Sequence, residues 1–189
     1  MKRAVFLDRD GTINREVGYL NHPDQIALLP GAARAIKQLN GAGFLVVVVT
    51  NQSGVARGII AEEQIPLIRD RLMALLKKEG ASIDGYYYCP HYSGGTVEKY
   101  SVACDCRKPA PGMLKNAARD LGIDLGQSYV VGDKACDVAL GRNAGSVAVM
   151  VKTGYGQEEF EKCDFPPDYV ADNLKDAAEW ILKNSHRVA

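Results

Sequence analysis

Asp8 and Asp10 close a short apolar run in Phe6-Leu7-Asp8-Arg9-Asp10-Gly11-Thr12. Side chains alternate along an extended chain, so two carboxylates two positions apart face one side, and Gly11 lets the backbone turn away behind them. An aspartate of ordinary acidity is ionised at neutral pH and attacks phosphorus once a divalent cation offsets the charge of the phosphate. The second carboxylate suits a proton shuttle. For that task it has to be held protonated above its usual pKa of about 3.9, by partial burial or by the neighbouring charge. Taken alone, the pattern equally suits a polar turn after an edge strand.

Three further segments offer chemistry of the same kind. Thr50-Asn51-Gln52-Ser53-Gly54 follows a valine run with two hydroxyls, two amides and a flexible glycine, a set that can hydrogen-bond phosphate oxygens or simply form a polar loop. Cys106-Arg107-Lys108-Pro109 puts two fixed cations before a helix, the lysine as a point charge and the arginine as a planar fork for phosphate. Asp133 ends an apolar run and Asp137 lies one helical turn further on the same face, so Asp133 is either a metal ligand or a helix cap. The cysteines add a different chemistry. Cys89-Pro90-His91 and Cys104-Asp105-Cys106 supply three thiolates and an imidazole, a complete tetrahedral shell for zinc with no position left for water. A closed shell is structural, and this one pins the loop from Tyr92 to Ala103. Cys136, on a helix, and Cys163, in a late loop, have no partners of this kind and read as ordinary residues, and His22 and His186 adjoin no motif and read as surface residues.

These segments need a scaffold that gathers strand ends. Apolar runs at Ala4–Leu7, Phe44–Val49, Gly85–Cys89, Tyr129–Gly132 and Ser146–Val151 read as strands. Helical spacing covers Gly31–Asn40, a helix starting near Gln64 with Pro66 in its first turn, Pro111–Leu121, Ala135–Asn143 and Leu174–Asn184. The alternation predicts an α/β fold with an open, Rossmann-like parallel sheet, helices on both faces, and ligands beyond the carboxyl ends of the strands. The intervals leave no room for a large cap domain, so residues 1–189 are expected to form one domain, with water excluded by residues 14–22 and the zinc loop.

The bulk properties exclude several classes. Lys plus Arg and Asp plus Glu both total 23, so no overall field attracts nucleic acid or an acidic membrane. Four apolar positions follow Met1-Lys2-Arg3 before Asp8, too few for a signal peptide, and Phe44–Val49 is too short to span a bilayer. The expectation is a cytoplasmic monomer acting on a small molecule.

The order Asp8-x-Asp10-Gly11-Thr12, then Thr50, then Lys108, then Gly132-Asp133 with Asp137 resembles the four motifs of the haloacid dehalogenase superfamily of phosphohydrolases. The resemblance implies that Asp8 is a nucleophile forming an aspartyl-phosphate, and that Asp10 protonates the leaving oxygen and then activates water. It implies that Thr50 and Lys108 hold the transferring phosphoryl group, and that Asp8, Asp133 and the main-chain carbonyl of Asp10 bind magnesium. Within the superfamily the Cys-x-His and Cys-x-Cys loop is similar to that of two groups, heptose bisphosphate phosphatases and histidinol-phosphate phosphatases. Asp8–Asn14, Gly18-Tyr19, Thr50–Gly54 and Cys104–Pro109 resemble the heptose group more closely. That group implies a substrate with two phosphates, on the route to nucleotide-activated heptose for lipopolysaccharide. By the same resemblance Glu16, Val17, Gly18, Tyr19, Thr50, Asn51, Gln52 and Ser53 contact substrate, Arg107 recognises the second phosphate, and Lys134 meets substrate beside Asp133. A histidinol-phosphate phosphatase of the same chemistry and a zinc-ordered binding module without catalysis remain the alternatives.

Overall fold

A computed structural model describes residues 1–185; His186 lies outside the described residues. The described residues form a six-stranded, wholly parallel sheet between two layers of helices. The strands are β1 (Ala4–Leu7), β2 (Leu45–Asn51), β3 (Gly85–Cys89), β4 (Tyr129–Gly132), β5 (Val147–Val151) and β6 (Tyr169–Ala171). Their spatial order is β3-β2-β1-β4-β5-β6, so β1 is central, with β2 on one side and β4 on the other. The chain progresses outward from β1 in one direction and then in the other. This reversal opens a crevice at the carboxyl ends of β1, β2 and β4.

The near-continuous apolar strands are explained by burial on both faces. Val5, Leu7, Val46, Val48, Tyr129 and Val131 face one layer, formed by α1 (Ala32–Gly41), α3 (Gln64–Lys78) and α7 (Leu174–Asn184). Ala4, Phe6, Val47, Val49 and Val130 face the other, where α4 (Gly112–Leu121) and α5 (Ala135–Ala144) supply Met113, Leu114, Ala117 and Leu140. Helix α3 begins at Gln64 with Pro66 at its third residue, within the turn whose N–H groups lack helical partners anyway.

Two stretches differ from the expectation. The second strand continues through Thr50 and Asn51, which pair with Tyr88 and Cys89, and Ser53–Ala56 then forms the single turn α2; the segment expected as a polar loop is a strand end and a helix start. The last strand, β6, and the four-residue helix α6 (Gly156–Glu159) carry too few residues for a periodic pattern.

Candidate active site

Asp8 follows the last residue of β1, with its backbone N–H still bonded to the Val131 carbonyl at 2.9 Å. Asp133 follows β4 in the same way, and Lys108 reaches in from the segment before α4. The Lys108 ammonium is fully enclosed. It meets Asp8 Oδ1 at 3.0 Å, Asp137 Oδ1 at 2.6 Å and the Val49 carbonyl at 3.0 Å, so its three N–H groups face three acceptors. Despite its burial, Asp137 and Asp8 raise its pKa, which keeps it charged. The Asn51 side chain clamps the Lys108 backbone, donating to its carbonyl at 3.2 Å and accepting from its N–H at 3.0 Å. The end of β2 therefore fixes the lysine.

Asp8, Asp133 and Asp137 bring carboxylate oxygens within 4.8 Å of one another. Burial first, and then the charge of Asp8, push the pKa of Asp133 up to about 7. Its Oδ2 accepts the Tyr155 N–H at 2.9 Å, whereas Oδ1 is buried with no hydrogen-bond partner. Gly11 (φ 83°) and Gly154 (φ 61°) flank this carboxylate so closely that a Cβ on either would lie about 2 Å from Asp133 Oδ2. A buried, crowded set of acidic oxygens with one unpaired atom fits a hard divalent cation such as magnesium.

Asp10 corrects one expectation. Its carboxylate is gripped by the Arg9 guanidinium, Nε to Oδ1 at 3.0 Å and Nη2 to Oδ2 at 2.6 Å, and accepts further from Asn14 at 2.9 Å and Gln52 at 3.3 Å. Burial opposes the charge, but the Arg9 fork outweighs it, and the pKa of Asp10 falls below the usual carboxylate value. It is held ionised, not protonated. Arg9 is itself fully buried and bonds the Tyr86 hydroxyl of β3 at 3.2 Å.

The remaining candidates divide. A pocket of about 280 Å³ is lined by Asp10, Glu16, Gly18, Tyr19, Asn51, Gln52, Ser53 and Lys134, with Leu20, Gly54, Ile60 and Tyr155. A recess of about 40 Å³ shares Asp10, Asn51 and Lys134 with it and adds Asp8, Thr50, Lys108 and Cys136. Cys136, read from the sequence as an ordinary helix residue, thus faces the reacting groups, although burial and Asp137 push its thiol up to about 12 and keep it protonated. Thr50 accepts from Gln52 Nε2 at 2.8 Å. Lys134 pairs with Glu16 at 3.1 Å and bridges the pocket. Two expected contacts lie outside both lining sets. Val17 is about half exposed on its loop. Arg107 stacks its guanidinium 5.1 Å from the Tyr92 ring and donates to the His91 carbonyl at 3.2 Å. Arg57 stacks on the same ring at 4.2 Å.

Cys89, His91, Cys104 and Cys106 converge beside the end of β3. The sulfurs lie 3.0–3.5 Å apart, and His91 Nδ1 is 3.4 Å from Cys106 and 3.8 Å from Cys89. Burial and hydrogen bonds with the two neighbouring sulfurs push the Cys106 thiol up, because thiolates this close repel without a cation between them. Three sulfurs and one imidazole nitrogen at these separations fit one tetrahedral zinc. The loop that follows also hangs on α2, whose Ala56 carbonyl accepts from Thr96 and Val97.

Known proteins resemble this chain in sequence and fold. The HAD-hydrolase-like family model matches residues 105–177. The chain is 43% identical over 185 residues, 94% of each protein, to D-glycero-D-manno-heptose-1,7-bisphosphate 7-phosphatase of Thermosynechococcus vestitus. It is 42% identical to D-glycero-beta-D-manno-heptose-1,7-bisphosphate 7-phosphatase of Escherichia coli (strain K12), over 95% of this chain and 94% of that one. Among solved structures, the D,D-heptose 1,7-bisphosphate phosphatase of B. bronchiseptica, complexed with magnesium and phosphate, superposes with a TM-score of 0.86 at 34% identity, over 97% of this chain and 99% of that one.

Proposed function

The chain belongs to the D-glycero-D-manno-heptose-1,7-bisphosphate 7-phosphatase family of haloacid dehalogenase-like phosphatases, and from that premise we propose that it releases the 7-phosphate of a heptose 1,7-bisphosphate in a magnesium-dependent reaction. The observation that carries the reading is the buried Asp8–Lys108–Asp137 array beside Asp133 at the carboxyl ends of the central strands.

In this reading Asp8 attacks phosphorus, the bond to the sugar oxygen breaks, and that oxygen takes a proton from Asp10. Water then attacks the aspartyl-phosphate and gives its proton back to Asp10, which restores both residues and releases phosphate. The Arg9 fork favours the base form, the form that activates water, so Asp10 must shed this contact to serve as the acid. Lys108 and the Thr50 hydroxyl offset charge on the phosphoryl oxygens. Asp8, Asp133 and the Asp10 carbonyl would hold magnesium, which when bound neutralises phosphate charge that would otherwise repel Asp8. Asn51, Ser53, Glu16, Gly18, Tyr19 and Lys134 border the sugar, Gln52 orients Thr50 and Asp10, and Arg107 would have to leave its stack on Tyr92 to meet the remote phosphate.

All of these groups come from one chain, so the reading takes a monomer, with residues 1–189 as a single domain, as sufficient. In this reading the reaction takes place in the cytoplasm, on the route to activated heptose for lipopolysaccharide; that a doubly phosphorylated sugar does not cross a bilayer unaided is consistent with it. The test is magnesium-dependent phosphate release from both anomers of D-glycero-D-manno-heptose 1,7-bisphosphate, beside histidinol phosphate and fructose 1,6-bisphosphate at matched concentration. Preference for a heptose anomer supports the assignment; preference for histidinol phosphate moves the chain to the other zinc-loop group.

Two dependences on metal follow. A proton on Asp133 competes with magnesium, so affinity measured by calorimetry is expected to rise about tenfold per unit below pH about 7 and to level off above it. In the metal-free protein the sign is opposite: the raised pKa of Asp133 contributes stability that is complete below the unfolded value and is lost as pH rises through about 7. Affinity independent of pH between about 5 and about 8 would remove Asp133 as a ligand.

For the cysteine cluster, Cys104→Ser is expected to lose bound zinc and several kcal/mol of stability. Unchanged zinc content together with an unchanged unfolding temperature would refute the zinc assignment.

A further inference from the structure

The segment Thr153-Gly154-Tyr155-Gly156 between β5 and α6 belongs to none of the motifs read from the sequence, yet it closes one side of the candidate site. The Thr153 hydroxyl donates to the Gly11 carbonyl at 2.6 Å, Gly154 packs against Gly11 and the Asp133 carboxylate, and the Tyr155 N–H donates to Asp133 Oδ2 at 2.9 Å. These contacts are made by backbone or by neighbouring residues. They leave the Tyr155 side chain free for another task.

That side chain borders the 280 Å³ pocket together with Tyr19, and it remains 41% exposed. Its hydroxyl makes no hydrogen bond among the described residues, and the Lys134 ammonium lies 5.1 Å from the ring centre. Lys134 is held from its other side by Glu16, so the cation sits between a carboxylate and an aromatic face. The ring is thus a rigid apolar surface anchored through its own backbone to a candidate metal ligand, with a cation beside it. A polyhydroxylated carbon chain carrying phosphate has the complementary features: C–H groups that pack on an aromatic face, and an anion drawn to the lysine.

We propose that Tyr155 is a specificity-determining residue, its ring forming the wall against which the sugar carbon chain of the substrate packs between the reacting phosphate and the pocket mouth. The inference rests on the sugar-bisphosphate reading above. Because the Asp133 contact uses the backbone N–H, substitution of the side chain leaves the metal end intact, and the contribution of the ring should be confined to substrates that carry a sugar.

The experiment compares wild type, Tyr155→Phe, Tyr155→Leu and Tyr155→Ala on the heptose bisphosphate and on acetyl phosphate, which has no sugar, with unfolding temperature as the control for folding. Tyr155→Ala is expected to raise KM for the heptose ester about tenfold, the scale of one lost aromatic contact, with acetyl phosphate turnover within about twofold of wild type. Tyr155→Phe should stay near wild type, and Tyr155→Leu should fall between the two. An unchanged KM for the sugar in the alanine variant, or an equal loss on both substrates, would overturn the proposal, the second outcome marking the residue as a support for Asp133. Failure of the underlying reading is visible separately, as a wild-type enzyme that cleaves acetyl phosphate but not the heptose ester.

Discussion

Replacing Asp8 with asparagine is expected to lower magnesium-dependent phosphate release on the order of 10⁴-fold or more while leaving the folded state nearly as stable as wild type. An amide is a poor nucleophile and cannot form the acyl phosphate, so the covalent step disappears and is not merely slowed. The structural cost is small for three reasons. The asparagine oxygen can still accept the Arg9 N–H that Asp8 accepts at 2.7 Å. Lys108 keeps Asp137 at 2.6 Å and the Val49 carbonyl as partners. The lost charge is one that raises the pKa of both Asp133 and Asp137, so its removal relieves repulsion. Steady-state turnover together with thermal unfolding checks both halves, and turnover at even a few per cent of wild type would remove Asp8 as the nucleophile.

Lys108→Met should remove activity and also destabilise the fold, by about 3–5 kcal/mol, because it strands buried acceptors without their cation. Asp137 is fully enclosed, and its carboxylate already sits up at about 6 because of burial and the nearby Asp8 charge, with Lys108 as the main opposing influence. Removing the ammonium takes away the largest opposing influence and leaves burial and the Asp8 charge opposed by Lys134, so the carboxylate rises further. A carboxylate whose folded pKa exceeds its unfolded value contributes stability at low pH that is lost as pH rises through the folded value. The variant should therefore be closest to wild type near pH about 5 and furthest from it near pH about 8. Denaturant unfolding at the two pH values measures the difference directly. Equal stability at the higher pH would mean that the Asp8–Lys108–Asp137 array is not the buried ion network described.

The sites where sequence was informative share a physical property. Asp8 and Asp133 directly follow strands, Thr50 is the penultimate residue of β2 and Lys108 lies just before α4, so element boundaries and residue chemistry point to nearly the same positions, and the parallel sheet gathers them in space. The Cys89, His91, Cys104 and Cys106 cluster, which could hold zinc, was legible because two tight pairs of soft donors have few other uses. Arg9 was not, since a charged residue beside a strand end is ordinarily solvated, and its complete burial depends on Tyr86 of a distant strand. With Arg9 unread, the protonation of Asp10 came out reversed, because adjacency of two carboxylates suggests repulsion and only the fold supplies the guanidinium. Cys136 and Tyr155 were hidden for another reason. Cys136 is a non-acidic residue inside the Asp133–Asp137 segment and Tyr155 sits in no motif, and what distinguishes both is the shape of the cavity they border. The edge strand β6 covers only Tyr169–Ala171, too short for any alternation to be read.

The placement of β1 at the middle of the sheet bears on how the molecule is made. During synthesis β1 and β2 emerge early and pair through Ala4 to Leu7, but the other flank of β1 waits for β4, whose residues Tyr129 to Val131 are translated much later. Until then a nascent chain carries an open, strongly apolar strand edge, the kind of surface that recruits chaperones or pairs wrongly with a neighbouring chain. Asp8 and Asp133, the carboxylates proposed to hold magnesium, are separated by the same delay. Ribosome-bound chains that stop before β4 should hold no catalytic cation, so acquisition of magnesium reports that the two halves of the sheet have joined.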